Sequence, residues 1–169
     1  MVCCLLDQVP TLERLRLSSL DPAVIDEALI SALAEYPRLM PHLHLSVQSG
    51  NDIILKRMKR RHNRRNVADL CERIRRVRPD IVFGADLIAG FPTETEEMFQ
   101  DTLKLVDDAG LTYLHVFPYS PRNGTPAVSM PQVPIGLRKE RAKRLREKGN
   151  IAKTKYFDQL LGSTASVLI

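Results

Sequence analysis

The 169-residue sequence contains no tryptophan, only three cysteines, and aromatic residues make up just 5% of it. Two of the cysteines are the adjacent pair Cys3 and Cys4, and Cys71 stands far from both. So few thiols exclude a disulfide framework, no spacing among them matches a metal site, and the count fits a reducing compartment. Also missing is any apolar run near the ~20 residues of a membrane helix. The N-terminus has neither a basic start nor a long apolar signal core, so the cytoplasm is the expected compartment, with no membrane partner. What is present, 44% apolar and 27% charged residues, suits one ordinary globular domain.

Charge is distributed unevenly. Lys56 to Arg78 carries eleven basic residues against Asp69 and Glu72, and Arg138 to Lys155 carries nine against Glu140 and Glu147. Asp86 to Asp108 carries seven acids and only Lys104. Clustered cations favour a polyanionic partner such as nucleic acid, because neutralising phosphates releases counterions. The bland reading of both basic segments is a solvated helix face.

Short apolar runs alternate with amphipathic stretches, the pattern of parallel βα units. Strands are predicted at Arg14 to Ser18, Leu43 to Val47, Ile81 to Ile88 and Thr112 to Phe117. Asp21 as cap and Pro22 at the first position predict a helix with Val24, Ile25, Ala28, Leu29, Ala32, Leu33 and Tyr36 on its apolar stripe, ended by Pro37. Asn51 or Asp52 caps a short helix. The next buries Val67, Leu70, Cys71, Ile74 and Val77, so Cys71 is core and not reactive. Thr93 or Thr95 opens a helix packed through Met98, Phe99, Thr102, Leu103, Val106 and Ala109, stopped by Gly110. A Pro-rich loop follows to Pro134, then a basic helix from Ile135 to Leu161 with Gly149 a candidate break, then a strand from Ser163 to Ile169. Four parallel strands cannot close an eight-stranded barrel, so the sheet is either small and open or part of a larger barrel whose first strands lie upstream of Met1. Its open edge predicts poor independent stability.

Each predicted strand splits into two faces. Leu43, Leu45 and Val47 oppose His44, Ser46 and Gln48. Phe83, Ala85 and Leu87 oppose Gly84, Asp86 and Ile88. Leu114 and Val116 oppose Tyr113, His115 and Phe117, while Leu15 and Leu17 oppose Arg14, Arg16 and Ser18. One face is aliphatic and suits helix packing. The other is polar, and burying it without partners costs a few kcal/mol per group, which points to a wet or ligand-filled interior unless the polar groups close on one another. His44 and His115 read as interior histidines rather than catalysts. Ligands in such folds bind at the C-terminal strand ends: residues 18–21, 48–50, 88–91 and 117–122.

Taken in order, Arg16-Leu17-Ser18-Ser19-Leu20-Asp21-Pro22, His42 to Asp52, Leu55 to Arg60, Asp86 to Thr95 and Phe117 to Pro126 resemble the radical S-adenosylmethionine methylthiotransferases, over residues 12–169. His115 to Pro126 looks most like the branch acting on threonylcarbamoyladenosine beside the tRNA anticodon; the isopentenyladenosine and ribosomal-protein branches are also similar. The resemblance implies an α/β fold: residues 1–134 as the C-terminal part of a partial (β/α) barrel with four parallel strands, 135–161 as a basic connecting helix, and 162–169 as the first strand of an RNA-binding, TRAM-like β-barrel. It also implies S-adenosyl-L-methionine and [4Fe-4S] clusters in full-length members. The C-x-x-x-C-x-x-C cluster motif is absent here, and Cys3 and Cys4 do not replace it, so this chain alone is expected to be unable to start radical chemistry.

By that resemblance the cofactor-binding candidates are Ser18, Ser19, Gln48, Ser49, Gly50, Asp86, Ile88 and Gly90. Ser18 or Ser19 would contact the ribose or methionine part or else cap a helix. Gln48 and Ser49 would bond the cofactor or position the substrate base. Gly50 would allow close approach or simply turn, and Ile88 would face the adenine, with Asp86 beside it or paired with Arg16. Arg57, Lys59, Arg60 and Arg61, with Arg64 and Arg65, are the candidates for tRNA phosphates. Arg122 is the candidate for the threonylcarbamoyl carboxylate, which a guanidinium fork matches. The leading function is tRNA methylthiotransfer; a non-catalytic RNA-binding module is the alternative. A small unrelated βα enzyme is weakened by the lack of a nucleophile-base pair or phosphate loop.

Overall fold

A computed structural model describes residues 1–164. Four strands form one parallel sheet in the order β1-β2-β3-β4: β1 Leu15–Leu20, β2 Leu39–Gln48, β3 Val82–Ala89 and β4 Leu111–Pro118. Neighbours in sequence are neighbours in the sheet, joined by helical crossovers, as expected of consecutive βα units. The helices are α1 Val2–Gln8, α2 Glu27–Glu35, α3 Asp52–Arg57, α4 Arg64–Val77, α5 Glu96–Asp108 and α6 Ile135–Leu160. Among the described residues no helix is long and apolar enough to cross a membrane.

The aliphatic strand face is the core. Leu43, Leu45, Val47, Phe83, Ala85 and Leu87 are fully buried there against Leu33, Val67, Cys71, Ile74, Phe99, Leu105 and Leu145. Burial pushes the Cys71 thiol up to about 12. The helices start where short polar side chains accept from free backbone N–H groups: Asn51 for α3, an Asn63–Asn66 capping box for α4, Thr95 for α5.

Three expectations change. The helix predicted from Pro22 is a 3₁₀ turn over Pro22–Val24 capped by Asp21, followed by a fresh start at α2 with Asp26 as its own cap; two caps five residues apart give two starts. Gly149 does not break α6. A Cβ there would lie 3.1 Å from Leu114 of β4, so the glycine lets the helix approach the sheet. Val77 is exposed at the end of α4 instead of buried. The strand expected from Ser163 to Ile169 falls largely on residues 165–169, outside the described residues.

The charge blocks that are separate in sequence meet in space. Arg64 of α4 reaches Asp101 and Asp108 of α5, while from α6 Arg144 reaches Glu96 and Lys148 reaches Asp107. Arg75, Arg78 and Arg146 donate to backbone carbonyls of Ala109, Leu33 and Val116. Much of the basic composition therefore serves the fold.

Candidate functional site

The polar strand face opens onto two hollows that share Asp86. The larger, of about 750 Å³, lies at the C-terminal strand ends between Gln48, Ile88 and Phe117 and the loop after β4, with Arg57, Lys59, Arg60 and Arg122 around it. The smaller, of about 450 Å³, lies lower on the sheet between Arg16, Ser18 and Ser19 of β1 and His42, His44, Tyr113 and His115.

Strand register builds the floor between them. His44 pairs with Gly84, and Asp86 pairs with His115, so all four positions share the polar face. A Cβ on Gly84 would stand 2.6 Å from His44 Nδ1; its absence lets the imidazole lie across β3. His44 Nε2 then reaches 2.9 Å from Asp86 Oδ1, and His115 Nδ1 is 3.5 Å from the same oxygen. Arg16 does not pair with Asp86. Its Nε donates to His42 Nδ1 at 3.1 Å and its Nη2 lies 3.0 Å from His42 Nε2. Burial, with the Arg16 cation beside it, pushes the His42 imidazole down to about 4 and keeps the ring neutral.

Backbone strain gathers at the rim. Ser19 at the end of β1, Gln48 at the end of β2, Lys59 after α3 and Thr93 after β3 all adopt positive φ, from 54° to 70°, without being glycine. Three of them stand at or just past a strand end, where ligands of open α/β sheets bind. Arg57 donates to the Thr93 hydroxyl, and Arg60 Nη2 donates to the Ser46 carbonyl at 2.6 Å, so two cleft cations are held in place. Among the described residues Lys59 and Arg122 have no partner.

The sequence profile of the Radical SAM superfamily matches residues 11–106. That stretch covers more than half of the chain and holds β1 to β3, most of the floor included. The chain belongs to the radical SAM superfamily. It is 56% identical, over its whole length, to the protein named threonylcarbamoyladenosine tRNA methylthiotransferase MtaB of Rickettsia prowazekii, of which it spans 40%. Over 161 residues it is 44% identical to the tRNA-2-methylthio-N(6)-dimethylallyladenosine synthase of Erythrobacter litoralis, of which it spans 36%. In structure it resembles the radical SAM enzyme coproporphyrinogen III oxidase of Escherichia coli (TM-score 0.65, 19% identity, 82% of this chain and 32% of that one). It also resembles the radical SAM methyltransferase TsrM of Kitasatospora setae (TM-score 0.55, 17% identity, 71% of this chain and 25% of that one). At these identities the likeness is one of fold.

Within this radical SAM sheet the candidate residues divide. Gln48, Asp86, Ile88, Arg57, Lys59, Arg60 and Arg122 line the larger cleft, and Ser18 and Ser19 the smaller. Three others lie in neither. Ser49 is fully buried, with Oγ 3.4 Å from Thr102 Oγ1. Gly50 donates its N–H to the same Thr102 oxygen, and a Cβ there would meet the α5 backbone at 2.5 Å. Gly90, at φ +73°, donates to Glu94 Oε2 and packs on Arg138. These three seat helices against the sheet. Arg61 is exposed and lies 3.8 Å from Asp21, away from the cleft. Arg65 pairs with Asp69 along α4.

Sequence reading placed 88–91 and 117–122 on the rim but gave no role to the Phe91 wall or to Tyr119, whose buried hydroxyl has no hydrogen-bond partner among the described residues, and it missed the Met58 and Met130 walls of the cleft. It also missed the joining of His44, Asp86 and His115, although the alternation that puts them on one face was legible. The three thiols do not converge: Cys3 and Cys4 sit on α1 and Cys71 in the core. The described residues therefore do not fit an iron-sulfur cluster.

Proposed function

We propose that this chain forms the cofactor and substrate cleft of a tRNA methylthiotransferase acting on threonylcarbamoyladenosine. The observation that carries this reading is the 56% identity with the Rickettsia prowazekii protein along the entire chain, including the loop after β4 that walls the larger cleft. The 44% identity with the Erythrobacter litoralis protein favours dimethylallyladenosine as the second reading.

The larger cleft suits S-adenosyl-L-methionine. Ile88, Phe91 and Phe117 offer apolar walls to a purine, Gln48 offers an amide to its polar edge, and the unpartnered Tyr119 hydroxyl is a donor left over for a ligand. Ser18 and Ser19 extend polar hydroxyls from the end of β1. With a reduced [4Fe-4S] cluster, for which the described residues supply no ligand set, this cofactor would supply a radical able to remove hydrogen from an unactivated carbon. This chain's own part is to hold and orient. Lys59 and Arg122 present free cations at the rim, Arg122 to the substrate carboxylate and Lys59 to tRNA phosphate. A tRNA substrate fits the cytoplasm as the compartment.

The test is nucleoside mass spectrometry of bulk tRNA from the source organism with this reading frame disrupted. Loss of the methylthio form of threonylcarbamoyladenosine, with the unmodified nucleoside accumulating, is expected. Loss confined to the dimethylallyladenosine derivative selects the second reading, and an unchanged tRNA pool overturns both.

A further inference from the structure

The His44–Asp86–His115 cluster has the composition and spacing of a metal site. Three adjacent parallel strands each contribute one ligand type that suits a first-row divalent metal: two imidazole nitrogens and a carboxylate oxygen. Their ligating atoms all lie within 4.8 Å of one another. Metal–ligand bonds of about 2.0 to 2.2 Å put neighbouring ligand atoms roughly 2.9 to 3.5 Å apart. The His44–Asp86 and His115–Asp86 separations, 2.9 and 3.5 Å, already fall in that range.

Burial is graded across the cluster. His44 is buried and fixed by the missing side chain at Gly84, Asp86 is mostly covered, and the His115 side chain is 63% exposed. Two ligands are therefore preset, and the third is free to swing inward by a rotation of its own side chain. The two rings already touch, with centroids 4.4 Å apart. On the open side lies the 450 Å³ hollow, with room for oxygen ligands at the remaining positions. Arg16, the guanidinium that lines this hollow, is engaged with the neutral His42 ring.

We propose that His44 Nε2, Asp86 Oδ1 and His115 Nδ1 form a binding site for one divalent transition-metal ion, with its open coordination positions facing the smaller hollow. This site is independent of the methylthiotransferase reading, because the probe is the metal alone.

The experiment is titration of the 169-residue chain with cobalt(II), followed by visible absorption and equilibrium dialysis. Cys3→Ser and Cys4→Ser are introduced first, so that the thiols on α1 do not bind the probe. One equivalent of cobalt is expected, with ligand-field bands and no sulfur charge-transfer band. His115→Ala, at an exposed position, should lose that equivalent. Asp86→Asn should lose it too, while Arg16→Ala should keep it; circular dichroism checks that each variant is folded. Absence of binding by the parent chain at micromolar cobalt overturns the site, as does an equivalent that survives His115→Ala. In either case His44 and Asp86 are a hydrogen-bonded pair only.

Discussion

Arg141 of α6 places Nη1 2.9 Å from Glu94 Oε2, with 3% and 1% of the two side chains exposed. The same Glu94 oxygen accepts from Gly90 N at 2.8 Å, and Arg141 Nη1 also donates to the Glu94 carbonyl. One buried pair thus ties the loop after β3, which carries the strained Thr93 and the Phe91 wall of the cleft, to the long C-terminal helix. Arg141 and Arg144 both lie over the ring of Phe99, which shields the pair from water.

Removing one partner of such a pair strands a charge in a dry site. Arg141→Met should destabilise the chain by about 3 to 5 kcal/mol. Adding Glu94→Gln removes the stranded charge while keeping an oxygen for Gly90 N. The double variant should therefore be more stable than Arg141→Met alone, as read by urea unfolding. A double variant that loses the two costs in full would show that the pair is not coupled.

His42 gives a stability dependence on pH. Its pKa is pushed down to about 4 in the fold from an ordinary 6.5, so between those values the unfolded chain binds the extra proton. Stability is complete above about 6.5 and is lost as pH falls toward 4. His42→Gln should flatten the melting temperature over that window compared with the parent chain, measured by circular dichroism; an unchanged slope would assign the acid sensitivity to the carboxylates.

Two glycines separate close approach from simple flexibility. At Gly50 a Cβ would strike the α5 backbone at 2.5 Å, so Gly50→Ala should cost about 1 to 3 kcal/mol through a forced shift of that helix. At Gly149 the contact is with the Leu114 side chain at 3.1 Å, and alanine gains up to about 1 kcal/mol of helix propensity there. Gly149→Ala should fall within about 1 kcal/mol of the parent. Denaturant titration of both variants orders them.

The four strands and the sidedness of the sheet were legible because period-two alternation is local: Leu43, Leu45 and Val47 against His44 and Gln48 can be read from six residues. So was the core position of Cys71. The roles of Ser49, Gly50 and Gly90 were not, because whether a glycine admits a ligand or a helix depends on what packs behind it. Which cations of the two basic segments serve the fold was not legible for a related reason. Arg64 meets Asp101 and Asp108, and Arg144 meets Glu96, across more than thirty residues of chain, and no window of sequence shows a charge its distant partner.

The same pairing sharpens the prediction for tRNA. Cations already engaged with Asp101, Glu94 or Glu96 should matter to stability, whereas Lys59 and Arg122, partnerless among the described residues and standing at the cleft, should matter to binding. Lys59→Ala and Arg122→Ala should each leave the unfolding midpoint within about 0.5 kcal/mol of the parent, as exposed sites do. For tRNA binding measured by fluorescence anisotropy across a salt series, Lys59→Ala should reduce the log–log slope by about 1, the signature of one lost phosphate contact. Arg122→Ala should leave that slope unchanged and weaken binding only of tRNA bearing the threonylcarbamoyl group, because a carboxylate on one nucleoside is not part of the phosphate count. Arg64→Ala, by contrast, should lower the unfolding midpoint with the slope intact. A slope that fell equally for Arg64→Ala would mean that the paired cations also contact phosphate and that pairing within the fold does not sort the two groups.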